Sequence, residues 1–148
     1  MRFTRHIKAA PGAVYDAWTK SEQLRLWAGD RVEADARIGG AYRFENRDGG
    51  EVHVHTGEYL ILEPDRRVRM SFHAGPDHPT PTNNYRNEFI EAALESRPDG
   101  CTAMVFTNGW DGDALDPEGM ESLRTAWSGW LDRLDSAVVA IPDKETNQ

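Results

Sequence analysis

The sequence predicts an α+β domain in which a curved antiparallel sheet of about six or seven strands wraps round a long C-terminal helix, with two short helices after the first strand. Three observations carry this expectation. Helical spacing of apolar residues is confined to two places, residues 14–27 and 120–138. Between Val32 and Gly109, strand and turn signals follow one another with hardly any helical periodicity. The second helical stretch is long and amphipathic, and such a helix needs a wide apolar surface to lie on.

Phe3-Thr4-Arg5-His6-Ile7-Lys8 alternates loosely and stops at Ala10-Pro11-Gly12. This reads as a first strand meeting a helix start, with Pro11 near the first helical position, where its missing N–H costs nothing. Val14, Tyr15 and Trp18 then recur at helical spacing, and Ser21 is the expected N-cap of a second short helix carrying Leu24 and Trp27. Val32, Ala34 and Ala36 alternate up to Gly39-Gly40, Tyr42 and Phe44 alternate after it, and Asp48-Gly49-Gly50 is a hairpin signal. Val52 to Glu63 forms a long strand that Pro64-Asp65 turns back into Val68, Met70 and Phe72. Ala74 to Asn84 holds Pro76, Pro79 and Pro81, which cannot donate to a ladder, so it is expected as a loop; whether it closes as a lid stays open. Tyr85 to Ser96 and Thr102 to Asn108 are two further strands joined at Pro98-Asp99-Gly100. Asp116-Pro117-Glu118 supplies an N-cap, a first-turn proline and an acid at a helix start. Met120, Leu123, Trp127, Trp130, Leu131, Leu134 and Val138 form the apolar stripe of that helix.

A chain of 148 residues fits one domain, taken as residues 1–141 followed by a disordered tail over 142–148. It buries roughly 68–70% of its unfolded surface, enough for a core without staples, and no cofactor or metal is expected. Lys and Arg number 17 against 25 Asp and Glu, a net charge of −8 with no basic cluster. Nucleic acid and anionic membranes are therefore poor partners, since both need a basic footprint. Apolar runs such as Tyr59-Leu60-Ile61-Leu62 fall far short of the ~20 residues of a membrane span. The stretch Met1 to His6 lacks the apolar core of a secretory signal, and Cys101 is the single cysteine, so a reducing cytoplasmic location is expected.

Turn positions predict faces, because directly paired strand residues share one. With Pro64-Asp65 closing a hairpin, Ile61 opposes Val68, Tyr59 opposes Met70 and Gly57 opposes Phe72, all on the interior face. Counting back by twos places His55 and His53 inside too, with His73 outside and Leu60 and Leu62 outward. A bulge near Gly57 would break this count. A two-residue turn at Gly49-Gly50 sets Phe44 beside His55, whereas a three-residue turn sets it on the opposite face; the two-residue turn is expected, because it keeps Tyr42 and Phe44 inside.

Strand, two short helices, antiparallel meander and long terminal helix is the order of the helix-grip, or START-like, fold. Ala10-Pro11 precedes Val14-Tyr15-Asp16-Ala17-Trp18-Thr19, followed by Trp27, by Asp35-Ala36-Arg37-Ile38-Gly39-Gly40 and by Gly57-Glu58-Tyr59 running to Glu63-Pro64. Asp99-Gly100-Cys101-Thr102 and Gly129-Trp130-Leu131-Asp132-Arg133-Leu134 close the pattern. On these residues the chain resembles the SRPBCC superfamily and, within it, the Aha-type family similar to the C-terminal domain of the activator of the heat-shock protein 90 ATPase. The resemblance covers nearly the whole chain and implies the helix-grip fold. It also implies a scaffold whose members bind lipids, hormones or polyketides between sheet and helix, catalyse cyclisation or dehydration there, or sequester reactive natural products. The scaffold carries no universal triad, and fold does not supply function. Where a histidine often follows the last strand, this chain has Asn108-Gly109-Trp110. The chaperone co-activators have an extra N-terminal domain that is not expected here.

His53 and His55, near Tyr59 and Tyr42, are the candidate catalytic group: an imidazole as general base with Tyr59 as acid. An i, i+2 histidine pair also suits a metal, but no third ligand is identifiable, and histidines at the solvated end of a strand are the plain alternative. Asn108 and Trp110 continue the interior alternation of Met104 and Phe106, where an amide beside an indole suits a ligand carbonyl and an aromatic ring. Trp18, Trp27, Trp127 and Trp130 read as packing between helices and sheet, yet with Met70, Met104 and Met120 they also suit an adaptable pocket. The expected ligand-binding lining is therefore Trp18, Trp27, Tyr42, Phe44, His55, Tyr59 and Met70, with Phe72, Met104, Phe106, Asn108, Trp110 and Trp127. Asp35 and Arg37 are expected to form a salt bridge. Asp111-Gly112-Asp113 with Asp116 lacks the spacing of a calcium loop. Cys101 has no histidine close in sequence to activate it.

The first functional expectation is binding of a small, mostly apolar, aromatic or polyketide-like molecule between sheet and terminal helix. An acid/base cyclase, dehydratase or hydrolase and a chaperone-interacting co-regulator are the alternatives. Pairing of two chains through an exposed edge strand or through outward Leu60 and Leu62 would give a homodimer.

Overall fold

The computed structural model describes residues 1–74, 86–112 and 115–140. Expectations for the proline-bearing segment beyond Ala74, for Asp113 and for the tail 142–148 lie outside these residues. The element order is β1 (Arg2–Ile7), α1 (Pro11–Thr19), α2 (Ser21–Leu24), β2 (Arg31–Ala34), β3 (Ala41–Asp48), β4 (Glu51–Glu63), β5 (Arg67–Ser71), β6 (His73–Ala74), β7 (Arg86–Ser96), β8 (Thr102–Asp111) and α3 (Pro117–Ala140). Among the described residues the strands form an open, curved antiparallel sheet ordered β1-β8-β7-β5-β4-β3-β2, with the two-residue β6 beside β4. This is the helix-grip α+β architecture.

The N-terminal segment follows proline chemistry. Pro11 opens α1, and the chain breaks at Lys20, whose extended backbone (φ −94°, ψ 127°) ends one helix and starts the next. Ser21 is therefore the first residue of α2 and not its N-cap; two helices sharing one junction residue leave no position for a separate cap. The Ser21 hydroxyl lies 3.5 Å from the Ala34 carbonyl oxygen. At the other end of the chain Asp116 caps α3 as expected, its carboxylate accepting from the Gly119 N–H at 2.8 Å. Leu123, Trp127, Leu131, Leu134 and Val138 of that helix are buried, and each side chain of this kind contributes about 1.5–3 kcal/mol when fully buried.

The β3–β4 hairpin closes with Asp48 opposite Glu51 around Gly49 and Gly50, both at positive φ, so the turn holds two residues and Phe44 pairs with His55. Tyr42 pairs with Gly57, and a side chain at Gly57 would collide with the Ser71 carbonyl and the Tyr42 ring. Only glycine fits there. The β4–β5 hairpin departs from the expected pairing. It closes at Glu63 opposite Arg67, then runs Leu62 opposite Val68 and Ile61 opposite Arg69, and a bulge at Leu60 restores Tyr59 opposite Met70. The extra residue turns Leu62, rather than Ile61, onto the core, while Leu60 stays exposed.

Further boundaries move, β8 running to Asp111 rather than Asn108. Strand β2 stops at Ala34, because the chain turns at Asp35 to Gly40 through Arg37 N–H to Asp35 and Gly40 N–H to Arg37 hydrogen bonds. Asp35 and Arg37 pair at 2.7 Å on that exposed turn. Ala74, expected in a loop, pairs with His55 in β6.

Helix α3 lies on the inner face. Trp127 meets Phe106 and Phe72 with ring centroids 4.6 and 5.3 Å apart, and Trp130 meets His55 at 5.2 Å. From the β1 edge, Arg5 reaches across to Asp132 and to the Ser128 hydroxyl.

Candidate functional site

Beneath α3, three strands bring polar side chains into an aromatic interior. Strand β8 presents Asn108 in phase with buried Met104 and Phe106. Strand β7 presents Glu88 in phase with Ile90, Ala92 and Leu94, and β4 presents His55. Exposure of the three is 0% for Asn108, 3% for Glu88 and 5% for His55. Burying such groups costs free energy unless they are hydrogen-bonded, and the Asn108 amide shows how part of that cost is met. Its Nδ2 donates to Glu88 Oε2 at 3.0 Å and to the Phe89 carbonyl at 3.1 Å, and its Oδ1 accepts from Trp127 Nε1 at 3.1 Å. The amide orientation is thus fixed, with its donor edge on the carboxylate and its acceptor on the helix.

Phe72 joins this amide cluster to the histidine. Its backbone N–H donates to the Glu88 carbonyl at 2.9 Å, its ring stacks on His55 at 4.8 Å, and Trp130 closes over both, 6.2 Å from Phe72. Trp130 is half-buried and stands between this interior and solvent. His53 lies nearer the hairpin, its Nε2 3.9 Å from Glu51 Oε2, and His73 is exposed.

The two tyrosines are held in place by hydrogen bonds. Tyr42 Oη donates to the Ser71 carbonyl at 2.6 Å, and burial, then the neighbouring Tyr59 and Glu88, push its phenol well above the usual tyrosine range. Tyr59 Oη donates to the Trp18 carbonyl at 3.0 Å, and burial, followed by Tyr15, raises it likewise. Tyr59 pins α1 to the sheet from this position, its proton engaged by a backbone carbonyl.

The expected lining residues are spread along one core. His55, Phe72, Asn108 and Trp127 meet under α3, with Met70, Met104 and Phe106 buried around them. Tyr42 and Phe44 pack ring to ring at 4.6 Å on the adjoining strand. Trp18 and Trp27 meet edge to face at 4.8 Å, with Trp27 Nε1 donating to the Ala17 carbonyl at 2.9 Å, and Trp18 stacks on Phe106 at 6.0 Å. Trp110 is partly buried against the edge of the core. Glu88 was absent from the expected set. Its signal was available: it stands two residues before Ile90 in an alternation that runs through Ala92 and Leu94 to the end of β7.

Open hollows lie elsewhere. One of about 430 Å³ is lined by Tyr42, Arg43, Gly57, Ser71 and His73, and one of about 420 Å³ by Leu60, Arg69, Ser71, His73 and Phe89. A third, of about 780 Å³, separates the start of α1 from the β4–β5 turn at Asp65 and Arg66.

Comparison with known proteins places this geometry in a family. The family model described as activator of Hsp90 ATPase homolog 1-like protein matches residues 8–139. Among solved structures, protein CV1439 from Chromobacterium violaceum is 27% identical, with 93% of this chain and 95% of that one covered at a TM-score of 0.73. The Aha1 dimer from Colwellia psychrerythraea is 22% identical, with 93% and 94% covered and a TM-score of 0.72. DynU16, a protein in the dynemicin biosynthetic locus, is 17% identical at a TM-score of 0.72, covering 92% of this chain but 45% of that one. No match was found among curated proteins. No described helix is long and apolar enough to cross a membrane. The chain belongs to the activator of Hsp90 ATPase homolog 1-like family, within the SRPBCC superfamily.

Proposed function

We propose that the protein binds a small, mostly apolar aromatic or polyketide-like molecule between the sheet and α3. The observation that carries this reading is the burial of Glu88, Asn108 and His55 within the aromatic group of Phe72, Trp127 and Trp130. Polar groups of this kind inside an apolar wall orient a ligand, while the aromatic faces supply contact area. The ligand enters by displacing Trp130, the least buried of these rings, and sets its polar end toward His55 and the Glu88–Asn108 pair. The position of DynU16 in a biosynthetic locus is in keeping with a ligand of natural-product type.

Native mass spectrometry of protein purified from its own host, with tryptophan fluorescence titration by 1-naphthol, tests the reading. The expected result is a co-purifying small-molecule adduct and saturable quenching, with affinity at least about tenfold weaker in His55→Ala while the near-ultraviolet dichroism is retained. Absence of an adduct together with unsaturable quenching, or an affinity unchanged in His55→Ala, overturns it.

Self-association belongs to the same proposal. The Colwellia psychrerythraea relative is a dimer, and here Leu60 is 44% exposed on the outer sheet face. Leu62, turned onto the core by the bulge, does not contribute to that surface.

A further inference from the structure

The sheet edge brings together three donors that are far apart in sequence. His6 lies on β1 opposite Ala103 of β8, on the side of the strand away from buried Ile7, and the β7–β8 turn carries Asp99 and Cys101 up to the same place. Asp99 is oriented: its Oδ1 accepts from the Cys101 backbone N–H at 2.9 Å, which leaves Oδ2 3.7 Å from His6 Nε2. The Cys101 sulfur lies beside the same carboxylate. One nitrogen, one sulfur and one oxygen donor lie within 4.8 Å of one another, the one such group of three among the described residues.

We propose that His6, Asp99 and Cys101 form a binding site for a divalent transition-metal ion of the zinc class, with water as the fourth ligand. Zinc–donor distances of about 2.0–2.3 Å put tetrahedral ligand atoms roughly 3.5 Å apart. The three donors, within 4.8 Å of one another, have to draw together to reach that spacing, and the exposed His6 side chain has room to move. The mixed donor set decides the class of ion: thiolate with imidazole suits zinc and its neighbours, whereas calcium and magnesium require shells of oxygen. Binding replaces the thiol hydrogen with the metal, forming a sulfur–metal bond and releasing one proton to solvent, with no change of oxidation state. Affinity therefore rises with pH. Burial, then the Asp99 carboxylate, hold the thiol above its ordinary value, and the Lys8 ammonium acts the other way while opposing the cation. Occupancy clamps the end of β1 to the β7–β8 turn, at the sheet edge and away from the interior beneath α3.

Titration of reduced, chelator-stripped protein with cobalt(II) provides the test. The expected result is a near-ultraviolet thiolate-to-cobalt charge-transfer band with tetrahedral visible absorption, displaced by zinc. Cys101→Ser abolishes the band, and His6→Gln weakens zinc binding at least about tenfold in competition with a chromophoric chelator. Uptake of zinc by the wild type releases protons, and Cys101→Ser releases fewer. A wild type without the charge-transfer band overturns the proposal. So does an unchanged zinc affinity in either variant, including the case in which Cys101 alone holds the ion.

Discussion

The single amide of Asn108 serves three partners, two on β7 and one on α3. In Asn108→Ala the Trp127 N–H loses its acceptor inside the protein, and Glu88 Oε2 loses the hydrogen bond from this amide. With the Trp127 N–H left as an unsatisfied buried group, the expected loss of stability is about 1–3 kcal/mol, to be measured by urea denaturation with tryptophan fluorescence. Tyr42 governs behaviour in base. Its phenol is raised well above the ordinary value of 10.0 by burial first and by Tyr59 and Glu88 next. The folded state therefore keeps a proton that the unfolded chain gives up above about pH 10. The associated stability is complete below that pH and is lost as pH rises toward the folded value. The melting temperature, followed between pH 8 and 11, is expected to fall above about pH 10, and to fall less in Tyr42→Phe.

At the scale of elements, termini and turns decide where strands and helices begin. Asp116 accepts from the N–H of Gly119, the third residue of α3, so Asp116→Ala is expected to cost about 1 kcal/mol. Calorimetry against the wild type checks this, and an unchanged melting temperature contradicts the capping role. Helix start, apolar stripe and the Gly49-Gly50 hairpin were legible because each depends on a few adjacent residues. The bulge at Leu60 was not. Tyr59-Leu60-Ile61-Leu62 is apolar throughout, so either Ile61 or Leu62 satisfies a buried face, and the choice follows from how the turn at Pro64 to Arg66 closes on β5. Ser21 misleads for a related reason: a good N-cap residue is no cap when the preceding helix already occupies the junction at Lys20.

For the whole molecule, the open sheet leaves β1 and β2 as edges and Leu60 on the outer face. An edge or an exposed apolar residue invites a second copy. Sedimentation velocity over a range of concentrations is expected to show a dimer in the wild type and a shift to monomer in Leu60→Lys; a monomer at every concentration contradicts self-association.

By itself the sequence determined the α+β class, the order of elements, the interior faces of β3 and β8, the stripe of α3, and the placing of His55 and Asn108 among buried positions. Each is a matter of period, turn chemistry or capping, which neighbours in the chain settle. Tertiary structure decided what those residues touch. Glu88 meets Asn108 from a strand twenty residues away, Tyr59 gives its hydroxyl to α1 rather than to His55, and His6 meets Asp99 and Cys101 from the other end of the chain. Periodicity assigns a side chain to a face but not to a partner; partners follow from strand order, bulges and the path of α3, which only long-range packing fixes.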